Sequence, residues 1–147
     1  MPDIVFILVF LFLPVFWCVI CLIIARGGWT SLATHYASDE TPSGERFRFQ
    51  SLNLQSGKSI YNRSQYGSCL TTYISNHYLY IKPWLIFRMG HRPLRIPLRD
   101  LSFDGAAMIM GSKFSVEKCP DKTMILYFKT AKYLEWILSD SPSPRFK

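Results

Sequence analysis

The chain opens on an uninterrupted apolar run. From Ile4 to Ala25 it reads IVFILVFLFLPVFWCVICLIIA, twenty-two residues without a charge. At about 1.5 Å rise per residue, a helix of this length crosses the roughly 30 Å hydrocarbon core of a bilayer. Pro14 lies inside the run; in a bilayer helix proline kinks rather than breaks. A glycine pair, Gly27-Gly28, follows, and then WTSLATHYA, where Trp29, Leu32, Ala33 and Tyr36 recur at i, i+3, i+4 and i+7. That spacing predicts a short helix with one apolar face, with Thr30 as its N-cap. Ser38 to Glu45 is polar throughout and reads as a linker.

From Arg46 the pattern shortens to β-type runs closed by turn residues. Strands are predicted within RFRFQSLNL, at Cys69–Ile74, Tyr78–Ile81, Trp84–Phe87, Leu94–Ile96, Leu101–Phe103, Ala107–Met110, Lys113–Cys119 and Thr123–Phe128. Gln55 to Ser68 reads as a loop, and Pro120-Asp121 as the last hairpin turn. The period then changes: Tyr133, Leu134, Ile137 and Leu138 share one face of a helix that Thr130 is placed to cap. The expected fold is therefore an N-terminal transmembrane α-helix plus a mainly-β domain. About seven short strands form a bent antiparallel sheet or barrel, and a C-terminal helix covers one open end. The expected divisions are an anchor over 1–26, a juxtamembrane helix and linker over 27–45, the β-domain over 46–139 and a tail over 140–147.

A cleaved signal peptide is the rival to the anchor. Such peptides want a basic leading region, a core of about 7–15 residues and a small-residue cleavage site. Here the chain begins Met-Pro-Asp, the core is longer, and Ala25-Arg26-Gly27 is a poor site. Asp3 precedes the run, whereas Arg26, Arg46 and Arg48 follow it, so the positive-inside rule predicts an outside N-terminus and a cytoplasmic domain at the cell membrane. Arg26, Trp29 and Tyr36 are candidates for the membrane–water boundary. In the competing reading, the same face of the short helix packs on the domain.

Cysteine placement agrees with a reducing compartment. Cys18 and Cys21 fall inside the apolar run, while Cys69 and Cys119 lie far apart in strand-like runs and read as buried thiols. With an exported domain, those last two would be the one possible intradomain disulfide.

Charge changes the picture at one place. The net charge is +7, and Arg88-Met-Gly-His-Arg-Pro-Leu-Arg-Ile-Pro-Leu-Arg99 supplies +4 of it without a single acid. On a strand, Arg95 and Arg99 share parity with Pro93 and Pro97, and Leu94, Ile96 and Leu98 share the other. The aliphatics are thus expected inward and the arginines outward, with the prolines marking an edge. Arg88, His91, Arg92, Arg95 and Arg99 form the candidate surface. Three uses compete: a charged edge that blocks sheet-to-sheet pairing, contact with anionic lipid headgroups, and docking of an acidic protein partner. Nucleic acid is not expected, because the basic residues are local and no recognised binding motif is present.

Candidate chemistry is sparse. Gln55-Ser-Gly-Lys-Ser59 resembles the end of a phosphate-binding loop, but Leu52 stands where that motif needs glycine. There is no G-x-S-x-G and no H-E-x-x-H, and His35, His77 and His91 lack carboxylates at a motif spacing. Asn62-Arg-Ser64 is a formal glycosylation sequon without meaning in a cytoplasmic domain. No catalytic residue, cofactor, metal or small-molecule substrate is expected, and an enzyme ranks third among the functional readings.

Two stretches carry a resemblance. Gly28-Trp-Thr-Ser-Leu-Ala-Thr-His-Tyr36 resembles a GW-x-x-LA-x-x-Y element, and Phe87-Arg-Met-Gly-His-Arg-Pro-Leu-Arg-Ile-Pro-Leu98 resembles an FR-x-GH-x-PL-x-IPW hairpin. Leu98 stands in place of the tryptophan, and the strand before begins His77-Tyr78 rather than Gly-Leu. With the strand order and terminal helix, these resemble small bacterial membrane-anchored proteins with a pleckstrin-homology (PH)/GRAM-like domain. The resemblance implies a fold and an anchor but no activity. Lys58 and Arg63 would then sit in the loop that PH domains often use for phosphoinositides, without the dense basic pattern of that site. The leading expectation is a non-catalytic interaction module that binds a protein partner or an anionic membrane surface. The alternative is an accessory subunit whose anchor helix, through Trp17, Cys18 and Cys21, faces a partner helix.

Overall fold

The computed structural model of the protein describes residues 2–57, 63–107 and 109–139. Helix α1 runs Pro2–Arg26, continuous through Pro14, and nearly all of its side chains are exposed. Among the described residues it is the one helix long and apolar enough to cross a membrane. Helix α2, Trp29–Tyr36, follows after a two-glycine joint. The domain then comprises β1 (Glu45–Ser56), β2 (Arg63–Ile74), β3 (Tyr78–Pro83), a 3₁₀ turn at Leu85–Phe87, β4 (Leu94–Pro97), a second 3₁₀ turn at Leu98–Asp100, β5 (Leu101–Ala107), β6 (Gly111–Val116), β7 (Cys119–Tyr127) and α3 (Phe128–Leu138).

The seven strands make one curled antiparallel sheet, a half-barrel, in the order β4-β3-β2-β1-β7-β6-β5. Strand β1 is its spine. Its first half pairs only with β2, whereas Leu52 to Gln55 pair with both β2 and β7. Register shifts between Phe47, Gln50 and Leu52 mark a bulge, and there Phe49 adopts φ 57°. A bulge bends its strand and strengthens the local twist, which helps curl the sheet. Alternate residues Leu52, Leu54, Leu70, Ile81, Ile96 and Phe114 point into the concave face and are fully buried. The predicted mainly-β fold with its C-terminal helix is thus observed.

Several local expectations are corrected. Strands β1 and β2 extend well into the stretch expected to be the Gln55–Ser68 loop, because Leu54↔Ser64 and Gln55↔Arg63 continue the ladder. Trp84–Phe87 forms no strand: Pro83 ends β3 and the chain turns. Ile109-Met110 is a turn between β5 and β6 rather than a strand, and the β6–β7 turn falls at Glu117-Lys118, with Pro120-Asp121 already in β7.

Neither predicted threonine cap caps. Gly28 is the N-cap of α2, and Thr30 instead donates to the free Ala25 carbonyl at the end of α1 (3.1 Å). Helix α3 starts at Phe128, so Thr130 lies within its first turn. Its hydroxyl donates to Gln50 Oε1 (2.8 Å) and meets the Thr72 hydroxyl at 2.8 Å, all three residues being buried. This cluster ties the terminal helix to β1 and β2, and each buried polar atom without its partner costs about 1–3 kcal/mol. Thr130→Val keeps the shape and removes the hydroxyl. Its expected loss is ~1–3 kcal/mol in denaturant unfolding of the full chain in detergent, with Thr130→Ser close to wild type.

Candidate functional site

The joint between α1 and the sheet is built from three rings. Trp29, Tyr66 and His91 form a closed triangle with centroid separations of 5.2 Å, 5.3 Å and 5.4 Å. They come from α2, from β2 and from the β3–β4 connection, three segments that α1 must meet as it enters the domain. The Trp29 indole N–H donates to the Arg92 carbonyl (2.9 Å). The Met89 carbonyl can only accept, so His91 Nδ1 carries the proton and donates to it (3.0 Å). Nε2 is then the lone-pair nitrogen and accepts from the Tyr66 hydroxyl (3.1 Å). One neutral tautomer satisfies both bonds.

His91 therefore corrects the sequence expectation. It is 2% exposed and belongs to the core, not to a cationic surface. Trp29 and Tyr36, candidates for the membrane boundary, are buried as well; of that trio only Arg26 is exposed. Tyr36 donates to the buried carboxylate of Asp100 (3.0 Å) and accepts from the Lys118 amide (3.4 Å), and burial pushes its hydroxyl up to about 12. The apolar face of α2 packs on the domain.

The arginines of the hairpin are mostly answered from within. After α2 the linker runs back along β4: Ala37 bridges Leu94, and the Ser38 amide donates to the Pro93 carbonyl (3.0 Å). This brings Asp39 to Arg92 (2.7 Å) and Glu40 to Arg95 (2.5 Å). Arg95 is also stacked over the Tyr78 ring at 3.8 Å. Arg99 is exposed, 3.5 Å from Asp100. Leu94, Ile96 and Leu98 point inward, as their parity predicts. The expected cationic edge is thus a largely neutralised, linker-covered one, and Asp39 and Glu40, which pair with it, come from the stretch that reads from sequence as a polar linker. Arg63 opens β2, exposed, and is not a loop residue. Lys58 lies outside the described residues.

A different cationic face is assembled. Arg46 and Arg48 on β1, Lys82 on β3 and Arg88 beyond the 3₁₀ turn line one open groove of about 540 Å³ with Phe49, Trp84, Leu85 and Ile86. Thr71 and Tyr73 of β2 line it between them, in register with Lys82 and Arg46 respectively. No acid lines this groove, and none of its four cations makes a salt bridge among the described residues. Arg88 was legible as basic surface. Arg46, Arg48 and Lys82 were not, because only the β1–β2–β3 register joins them to it.

The groove abuts α1. The Trp17 indole N–H donates to the Ile86 carbonyl (2.8 Å), and the Cys21 thiol approaches the same oxygen at 4.0 Å. Trp17 also packs on Phe87, 5.5 Å between ring centroids. Gly90, at φ 76°, lets the loop press against α1: a Cβ there would stand 2.9 Å from Leu22 Cδ2 and 3.3 Å from Ala25 Cβ. Two of the anchor residues expected to face a partner helix, Trp17 and Cys21, are thus engaged by this chain's own loop. Cys69 and Cys119 are buried free thiols, and burial raises both above the ordinary thiol value. No protein-family model matches this sequence, and no curated protein matches it.

Burial holds the His91 imidazole below its ordinary value of about 6.5. On acidification the unfolded chain takes up this proton first, so stability falls as pH drops below about 6.5, by at most ~1.4 kcal/mol per pH unit, until the lower folded value is reached. Unfolding of the full chain across that window is expected to show this slope. His91→Gln is expected to be less stable at neutral pH but to lose the His91 share of the slope.

Proposed function

We propose that the chain is a single-pass membrane protein with its N-terminus outside. Its cytoplasmic PH/GRAM-like β-domain is a non-catalytic interaction module held against the bilayer that anchors it. The observation that carries this reading is the contact of Ile86 with Trp17 and Cys21. Helix α1 has 25 residues, about 37 Å at 1.5 Å each, against a hydrocarbon core of roughly 30 Å. Even with the whole surplus on the domain side, the span reaches to about Leu22. Trp17 then lies about 7 Å inside the hydrocarbon, and Ile86 lies beside it.

The loop is suited to that depth. Leu85 is 76% exposed and Ile86 60%, and Met89 and Trp84 are exposed as well. Most of the carbonyls of Trp84–Met89 and half of its amides are taken up. The Trp84 amide donates to the Cys69 carbonyl, the Phe87 and Arg88 amides donate to the Trp84 and Leu85 carbonyls, and the His91 amide donates to the Arg88 carbonyl. The Ile86 carbonyl receives Trp17 and the Met89 carbonyl receives His91. Irregular backbone at membrane depth is tolerated where such groups are met within the protein. A cleaved leader would strip Trp17, Cys21 and Ala25 from these seats, so the same contacts support a retained anchor. The seven-strand order with its terminal helix supports the PH/GRAM-like reading, and the basic groove on the Arg26 side of α1 supports a cytoplasmic domain.

Binding of a protein partner by the same module is the second reading, favoured by a separate patch. Ile109, Met110 and Phe128 are exposed, all at positive φ, and the Phe128 amide donates to the Met110 carbonyl. Bulky apolar side chains held outward in that conformation are uncommon without a use. Orientation is tested by fusing to Lys147 a reporter that is active only in the cytoplasm. An active reporter is expected; a silent fusion that is present in the membrane would overturn the assigned topology.

A further inference from the structure

We infer that the groove between β1, β3 and the Trp84–Met89 loop binds the headgroup of an anionic phospholipid from the cytoplasmic leaflet, with its acyl chains lying along the exposed apolar loop. The inference rests on the anchored reading above and adds a ligand class and a site to it.

Charge is the first observation. Arg46, Arg48, Lys82 and Arg88 converge on one small groove without a lining acid. The neighbouring hairpin shows what this chain does with arginines that need no ligand: Asp39 and Glu40 are brought to Arg92 and Arg95. Lys82 and Arg88 also border the cleft that Asp39 and Glu40 line, but neither acid pairs with them among the described residues, and four like charges so grouped favour an anion that three planar guanidinium forks and an ammonium can share.

Amphipathy is the second. The same groove is lined by Phe49, Trp84, Leu85 and Ile86, so cations and exposed apolar surface lie side by side. A soluble anion uses only the first, whereas a phospholipid uses both. Phe49 adds weight. An aromatic residue at φ 57° is a costly backbone state. Here it turns the ring outward onto Trp84, 5.1 Å between centroids in an edge-to-face pair. Aromatic rings with one apolar and one wet side favour the headgroup level of a membrane.

Position is the third. Ile86, which lines the groove, touches α1 at Trp17 and Cys21, so the groove and its cations lie beside the spanning helix, within reach of the headgroup layer. Near an anionic surface each Lys or Arg contributes about a fivefold gain in affinity, so the four together are worth several hundredfold, about 600.

The test uses the full chain in a nonionic detergent, with thermal unfolding followed in added phosphatidylglycerol, phosphatidylcholine or glycerol phosphate. Phosphatidylglycerol is expected to raise the midpoint well beyond phosphatidylcholine, and glycerol phosphate to leave it unchanged. The variant R46Q/R48Q/K82Q/R88Q is expected to lose the difference, and R92Q/R99Q to keep it. Should the fourfold variant fold poorly, Arg46→Gln and Arg88→Gln singly are each expected to weaken apparent phosphatidylglycerol affinity about fivefold. An equal shift with both lipids, a shift that survives the fourfold change, or one reproduced by glycerol phosphate would each overturn the inference. Alkaline extraction of membranes separates the two levels. A chain released by it overturns the anchored reading and this inference with it. A chain retained, whose lipid preference ignores the four cations, overturns the groove alone.

Discussion

The Ile86 carbonyl accepts from the indole of Trp17, a residue about 13 Å back from the domain end of α1. That one bond decides how the rest of the molecule sits. A tryptophan N–H in hydrocarbon and a turn carbonyl turned away from water each carry a cost of several kcal/mol when unmet. Meeting each other removes both costs and fixes the β3–β4 loop to the helix side. Gly90 makes the approach possible, and the Trp29–Tyr66–His91 triangle holds the far side of the loop to α2 and β2. Helix α1 and the β-domain are joined through packed side chains and not through a swinging linker. The two-glycine joint at Gly27-Gly28 is closely packed as well: a Cβ at Gly27 would collide with the Ser64 hydroxyl, and at Gly28 it would press on Leu54 at 3.3 Å.

Once the loop is seated, the charges sort themselves into two populations. Those on the hairpin after the loop meet acids from the linker, and the resulting exposed pairs contribute at most about 1 kcal/mol each. Their effect is to neutralise the β4 edge and cover it with chain. Those on the outer face of β1 and β3 meet nothing of opposite sign in their groove. The difference between a self-compensated edge and a groove without a lining acid depends on tertiary placement alone.

Much of the architecture was legible along the chain because its periodicities are strong. The period-2 aliphatics of β4 and the apolar stripe of α3 each follow from a single buried face, and α1 stands out because it is apolar on every side. The misreadings share one cause, competition from contacts distant in sequence. Trp29 and Tyr36 have the chemistry of boundary residues, yet Tyr66, His91 and Asp100 recruit them into the core. His91 sits among arginines in sequence but points the opposite way, because Met89 and Tyr66 offer its two nitrogens complementary partners. Thr130 looks like a cap until Gln50 and Thr72 claim its hydroxyl. For the candidate site, Arg88 and the apolar Trp84–Phe87 run were visible. Their union with Arg46, Arg48 and Lys82 required the register Arg46↔Tyr73↔Tyr80 and Thr71↔Lys82, which no local signal carries.

Its contacts with Trp17 and Cys21 hold the Trp84–Met89 loop against the side of α1, so a bilayer crossed by α1 takes in the loop as well. A nitroxide label at Ile86→Cys, in the full chain reconstituted into a bilayer with its own cysteines replaced by alanine, reads this directly. Collisions with oxygen, which concentrates in lipid, are compared with collisions with a water-soluble nickel chelate, and a label at Thr41→Cys on the linker serves as the aqueous reference. The Ile86 label is expected to be reached by oxygen and shielded from nickel, while the Thr41 label shows the reverse. Equal nickel access at both positions would place the loop in water and overturn its seating within the bilayer.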